Sequence, residues 1–300
     1  MKACIDIAHP QAANSVELML KSVGYNVYMK KNRNNENMFW RLGYEVGGTP
    51  VGEWDDNDLY VTSEKEQIAA KRHVRFICNG GPFTDGEPKG PNISSNFNLS
   101  DGFVEYLPFC NVLNIRPREK RAFYDKPISL VHNVGEWGFG ASARSMQEDI
   151  NLFGLNSPRG LLKEHLVPDL LRQSLCLAHL KPHDAPGFAL YFAFASAVPI
   201  VIPETFIKNS RYEDLLIDGE TCYVFGKGVE LESPNDGAGD KKHVESIRKD
   251  LLSIFEKLRD PDENYRIGLN GLFKWKELTR WTSKKRDRFA EFLKINNLLQ

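Results

Sequence analysis

Apolar residues in this chain come in short β-branched runs, separated by stretches with helical spacing. Residues 3–8 (ACIDIA) form the first run, closed by His9-Pro10. Val16, Met19, Leu20 and Val23 then share one face of a helix over 15–23, and Gly24 is placed to stop it. Residues 25–29 (YNVYM) are a second strand, so the chain opens as a strand–helix–strand unit, the signature of a parallel sheet. Further strands are expected at 59–62, 74–78 and 104–107, with a long Asn-, Gly- and Pro-rich loop over 79–102. The charged segment 116–127, with Pro near each end, reads as a linker. After it the rhythm restarts. Strands are expected at 128–134, 150–153, 175–180, 199–203 and 222–225, and helices at 143–149, 166–173, 188–197 and 212–217. A polar loop over 229–242 precedes a helix at 243–259 and two more within 262–298. The pattern predicts two successive α/β domains, residues 1–120 and 121–300, each with its own parallel sheet.

Composition narrows the class. In 300 residues, 41% are hydrophobic and 26% charged, the balance of an ordinary soluble globular protein. Lys plus Arg is 39 against 40 Asp plus Glu, a formal charge of −1, which excludes binding to nucleic acid or membrane by bulk charge alone. The sequence shows neither a basic leader followed by an apolar run nor an 18-residue apolar stretch, so the expectation is a cytoplasmic protein without a membrane span. Cys4, Cys78, Cys110, Cys176 and Cys222 are scattered, and most sit in apolar runs, which reads as reduced core cysteine rather than a disulfide frame or a zinc site.

Two segments of the second half carry candidate chemistry. Residues 131–144 (VHNVGEWGFGASAR) follow the first strand. There Gly135, Gly138 and Gly140 let the backbone approach a ligand, Ser142 can cap or donate, and Arg144 adds charge on the first helical turn. Residues 175–203 (LCLAHLKPHDAPGFALYFAFASAVPIVIP) run strand, turn, helix, strand. A turn that opens a helix presents free N–H groups to a diphosphate or sugar oxyanion, and a nearby carboxylate accepts hydrogen bonds from sugar hydroxyls.

This second segment resembles the signature region of GT-B-fold glycosyltransferases. The matching pieces are Asp184, the turn Gly187-Phe188-Ala189-Leu190, the helix ending AFASA, and Ala197-Val198-Pro199-Ile200-Val201. The resemblance implies an α/β fold of two Rossmann-like domains facing across a cleft, with a nucleotide sugar such as a UDP-sugar on the second. Its diphosphate would meet the 135–144 turn and the 187–190 turn, and its sugar would lie near Asp184. One departure stands out. The second Glu of retaining members falls on Phe192 when the match is anchored on Pro199, and on Phe194 when anchored on Gly187-Phe188. Neither can hydrogen-bond a ribose.

In the first domain the resemblance points to His9, in the first strand-to-helix turn, where inverting GT-B enzymes often keep a His as general base. The competing base is Asp85 in CNGGPFTDGEP, a context similar to that of some DNA-modifying glucosyltransferases. From Lys274 onward, eight Lys or Arg face three acids, with Trp275, Trp281, Phe289 and Phe292 interleaved. That reads as an amphipathic terminal helix or as a phosphate-contacting surface. The expectation is a glycosyltransferase that moves a sugar from a nucleotide sugar to an acceptor hydroxyl on a glycan, small molecule or DNA base. No cofactor and no metal site are expected. A sugar-nucleotide epimerase and a non-catalytic binding protein share the fold and stay open.

Overall fold

The computed structural model describes residues 1–7, 10–29, 59–63, 72–77, 90–110, 114–123, 128–132, 139, 151–154, 156–157, 160–161, 166–181, 188–229 and 238–299. The chain divides into two compact units, Met1–Cys110 with Thr279–Gln300, and Asn111–Leu278.

The first unit is built on a six-stranded sheet. Strand β1 (Lys2–Asp6) leads into helix α1 (Pro10–Ser22) and β2 (Asn26–Met29), as the alternation of 3–29 requires. Then follow β3 (Leu59–Ser63), β4 (His73–Ile77), β5 (Asn92–Ser94) and β6 (Phe103–Val104). The order is β2-β1-β3-β4-β5-β6, and every pairing is parallel. Helix α1 buries Ala12, Val16, Met19 and Leu20, and Gly24 ends it at φ +93°.

Strand β5 lies within the stretch expected as loop, because its residues read as polar. Asn92, Ile93 and Ser94 are all fully buried. The Ser94 hydroxyl donates to the Ile77 carbonyl (2.8 Å) and accepts from the Asn96 N–H (2.8 Å), so burial leaves that group satisfied. The expected strand at 104–107 is shorter and begins one residue earlier.

The terminal helix, α7 (Ser283–Ile295), belongs to this first unit, although the sequence division placed it in the second. Its aromatic residues explain the docking. Phe289 and Trp281 meet the Phe103 ring at 5.0 and 6.2 Å between centroids, and Trp281 Nε1 donates to Ser22 Oγ (3.1 Å). Lys285 and Arg288 pair with the nearly buried carboxylate of Glu105 at 3.1 and 3.0 Å. The Leu298 carbonyl accepts from the Tyr25 hydroxyl and from Arg72.

The second unit carries β7 (Ile128–His132), β8 (Asn151–Gly154), a small antiparallel pair β9 (Asn156–Ser157) and β10 (Gly160–Leu161), helix α2 (Val167–Gln173) and β11 (Leu177–His179). Then come α3 (Phe188–Ala195), β12 (Ile200–Pro203), α4 (Glu204–Ser210) and β13 (Tyr223–Phe225). Helices α5 (Ala238–Leu258) and α6 (Pro261–Thr279) follow. The main sheet is parallel, in the order β13-β12-β11-β7-β8. Cys176, Ala178, Val201 and Phe225 pack against Ile247, Leu251 and Leu258 of α5.

The helix expected at 212–217 is instead a turn, and α4 takes the residues just before it. Glu204 and Lys208 pair at i,i+4, and Arg211 ends the helix at φ +56°. Tyr212, Leu215 and Leu216 mimic helical spacing because one hydrogen-bonded turn, Leu216 N–H to Tyr212 O (2.8 Å), buries all three. The helix expected at 143–149 lies outside the described residues. Among the described residues no helix is long and apolar enough to cross a membrane.

Candidate functional site

In an open parallel sheet, ligands bind at the carboxyl ends of the strands where the chain order reverses. In the second unit that place is β7/β11. From β7 the chain moves outward to β8; it then returns to β11 on the other side and continues to β12 and β13. The two strands are in register to their ends, Ala178 opposite Val131 and His179 opposite His132. The Gly-rich segment follows β7 and the Asp184–Leu190 segment follows β11, so both leave from neighbouring strand ends on one edge of the sheet.

One described residue inside the Gly-rich segment anchors it. Phe139 is fully buried, with its ring edge-on to Phe225 at 5.2 Å. Its N–H donates to the carbonyl of Leu180, one residue past β11 (3.3 Å). Phe139, flanked in sequence by Gly138 and Gly140, is thereby held at the exit of the next strand. Gly135, Gly138, Gly140, Ser142 and Arg144, together with Asp184 and Gly187, lie outside the described residues.

Helix α3 starts at Phe188, as the turn–helix reading requires. Its first N–H groups, on Phe188, Ala189 and Leu190, have no acceptor within the helix. The Leu190 side chain is buried, so only its backbone can serve a ligand. The rest of α3 is apolar all round and accordingly buried on all sides. Phe192 and Phe194 are both core residues, at 2% and 1% exposure, with Phe194 close to Gly271 of α6. The positions that would hold the second carboxylate are therefore used for packing.

Two features of this edge escaped sequence reasoning. His179 ends β11 fully buried, its ring edge-on to Phe206 at 4.7 Å. Both LVH and LAH end in His, a signal present in the sequence that only the register makes meaningful. Glu204, just after β12, accepts the Gly228 N–H (3.0 Å) and the Lys208 ammonium (2.8 Å), which ties the exits of β12 and β13 together. The Gly228 bond, with Lys208, holds its carboxyl below the usual range.

In the first unit the order reverses at β1/β3, where Asp6 sits opposite Thr62. Thr62 Oγ1 lies 2.7 Å from Nε2 of His73. Burial chiefly, and the Arg75 charge beside it, lower the pKa of His73. In sequence His9 follows β1 and Asp85 lies between β4 and β5, and both lie outside the described residues. No group of three or more His, Cys, Asp or Glu among the described residues is arranged to hold a metal ion.

Two parallel sheets with this strand order and these reversal points are the GT-B fold of glycosyltransferases. The chain superposes on a sucrose-phosphate synthase from Thermosynechococcus elongatus over 98% of both chains, with TM-score 0.56 and 11% identity. It superposes likewise on a glycosyltransferase from Rickettsia africae over 98% of both chains, with TM-score 0.57 and 7% identity. No family model and no curated protein sequence matches it.

Proposed function

We propose that the protein is a glycosyltransferase that takes its sugar from a nucleotide sugar held on the second unit. The observation that carries this reading is the Phe139 N–H to Leu180 carbonyl bond. It ties Phe139, which lies between Gly138 and Gly140 in sequence, to the exit of β11 at the reversal point of a parallel sheet.

In this reading the donor diphosphate meets the backbone N–H groups of the 135–144 segment and of Gly187-Phe188-Ala189-Leu190, with Ser142 and Arg144 beside it. Asp184 accepts hydrogen bonds from the donor sugar. The acceptor hydroxyl oxygen bonds to the anomeric carbon as the bond from that carbon to the phosphate oxygen breaks. The proton of the hydroxyl passes to His9, with Asp85 as the rival base. Negative charge grows on the leaving diphosphate, and fixed N–H dipoles and Arg144 stabilise it in the role a metal has elsewhere.

Phe192 and Phe194 bear on stereochemistry. With no carboxylate at either position, the ribose grip of retaining relatives has no counterpart there, which favours inversion. The test is a panel of nucleotide sugars screened by thermal denaturation, followed by mass analysis of products with and without acceptors. A donor that raises the melting temperature and yields a glycosylated acceptor supports the reading. Donor binding with a product of unchanged mass would make the protein an epimerase, and binding without turnover a carrier.

A further inference from the structure

The second unit has another concave surface, at the opposite ends of its strands. A recess of about 720 Å³ is lined by Arg116, Arg118, Lys120, Arg121 and Arg172, with Glu119 the one acid. The Arg118 N–H donates to the Ser196 carbonyl (2.9 Å) and its Nη1 to the Ser174 carbonyl (2.6 Å). Ser174 precedes β11 and Ser196 precedes β12, so the recess lies at the amino ends. From Ser174 to the end of β11 is five residues, roughly 16 Å at ~3.3 Å per residue. This is not the edge of the donor segments.

The cations here are held, not merely displayed. Arg118 is 5% exposed, and its Nη2 donates to Asn264 Oδ1. Its guanidinium lies 5.2 Å from the Phe123 ring centroid, and that of Arg121 lies 5.4 Å from the same ring. Two like charges thus share one aromatic side chain. Burial, with the Arg121 charge adding to it, holds Arg118 down to about 10. Lys120 is neutralised by Asp262, and Arg172 by Asp169, in exposed ion pairs that solvent weakens. Arg116 and Arg121 are exposed and have no carboxylate partner among the described residues. A concave wall with a positive excess, in which the Arg116 and Arg121 guanidinium groups are exposed and Arg118 is fixed behind them by the Phe123 ring, the Ser174 carbonyl and Asn264, matches recognition of phosphate.

We propose that this recess binds a small anion carrying two or more adjacent phosphate groups, at a site separate from the donor segments. Its volume suits a small molecule. An anion placed there relieves the repulsion between Arg118 and Arg121 and gives Arg116 its counter-charge. The inference does not depend on the glycosyltransferase reading, because none of these residues belongs to the donor segments.

The experiment is thermal denaturation of the full chain with inorganic tripolyphosphate at constant ionic strength. The expected result is a saturable rise in melting temperature, at least tenfold weaker in apparent affinity for inorganic phosphate. Arg116→Glu/Arg121→Glu abolishes the rise, whereas Lys242→Glu/Lys249→Glu, an equal charge change at exposed positions of α5, keeps it. Arg116→Ala, a single exposed truncation, weakens the affinity several-fold and stands in if the double variant does not fold. The proposal is overturned by any of three results: no rise up to about 10 mM tripolyphosphate, equal affinity for phosphate, or unchanged affinity in the folded recess variants.

Discussion

The carbonyl oxygen of Ala197 occupies the place where a side chain on Gly268 would begin: a Cβ there would collide with it. Ala197 has φ +53° in the tight link between α3 and β12, and α6 packs its backbone directly on that link. Gly268→Ala must push helix and link apart, and the expected loss is about 1–3 kcal/mol, as for other overpacked cores. Urea unfolding with an unchanged slope and a lower midpoint checks it. A midpoint equal to wild type would mean that α6 does not sit so close.

A second stability prediction runs the other way. Arg211 is exposed and holds the left-handed conformation that ends α4. Arg211→Gly removes the steric cost of that conformation, offset in part by a freer unfolded chain. The expected gain is about 0.5 kcal/mol, visible as a higher urea midpoint, and a loss of stability would refute it.

Much of the fold was legible in the hydrophobic rhythm, and the exceptions have physical causes. Strand β5 was hidden because Asn92 and Ser94 are polar yet buried, a choice only their tertiary position explains. The 212–217 region imitated a helix because one turn can bury three apolar residues at helical spacing. The terminal segment follows the second half in sequence yet groups with the first unit, because its docking rests on Phe103 and Glu105, far away in sequence. At the candidate site, the order strand, turn, helix, strand in 175–203 could be read directly. The bond from Phe139 to Leu180 could not, since it depends on the pairing of β7 with β11, which periodicity does not encode.

Stability should also fall on acidification through His73. Its folded pKa lies below the ordinary 6.5, chiefly through burial, so the unfolded chain takes up its proton first. The contribution of neutral His73 is complete above about 6.5 and is lost as pH falls from there to the folded pKa. Urea midpoints between pH 7 and 5 should drop less in His73→Phe than in wild type. An identical pH profile for the two would show that another group controls this range.

For the site itself, Arg144→Ala is expected to cost about 2–4 kcal/mol in kcat/KM, the loss of one charge-stabilising donor. Asp184→Asn should change the choice of sugar and leave the affinity for the free nucleoside diphosphate nearly intact. Equal weakening of diphosphate and nucleotide sugar would show that Asp184 acts on the phosphates.

The base can be assigned by transfer rates at saturating donor. His9→Ala is expected to lose ~100- to 10,000-fold in rate while donor binding survives. Near-native transfer in His9→Ala, with loss in Asp85→Ala, would place the base on the segment after β4.

Calorimetric titration of the best-stabilising nucleotide sugar into Gly187→Val asks whether the segment opening α3 holds the donor through close backbone approach. The expectation is that the variant folds, with wild-type far-UV circular dichroism and melting temperature, and binds the donor no longer. Undiminished donor affinity in that folded variant would contradict it.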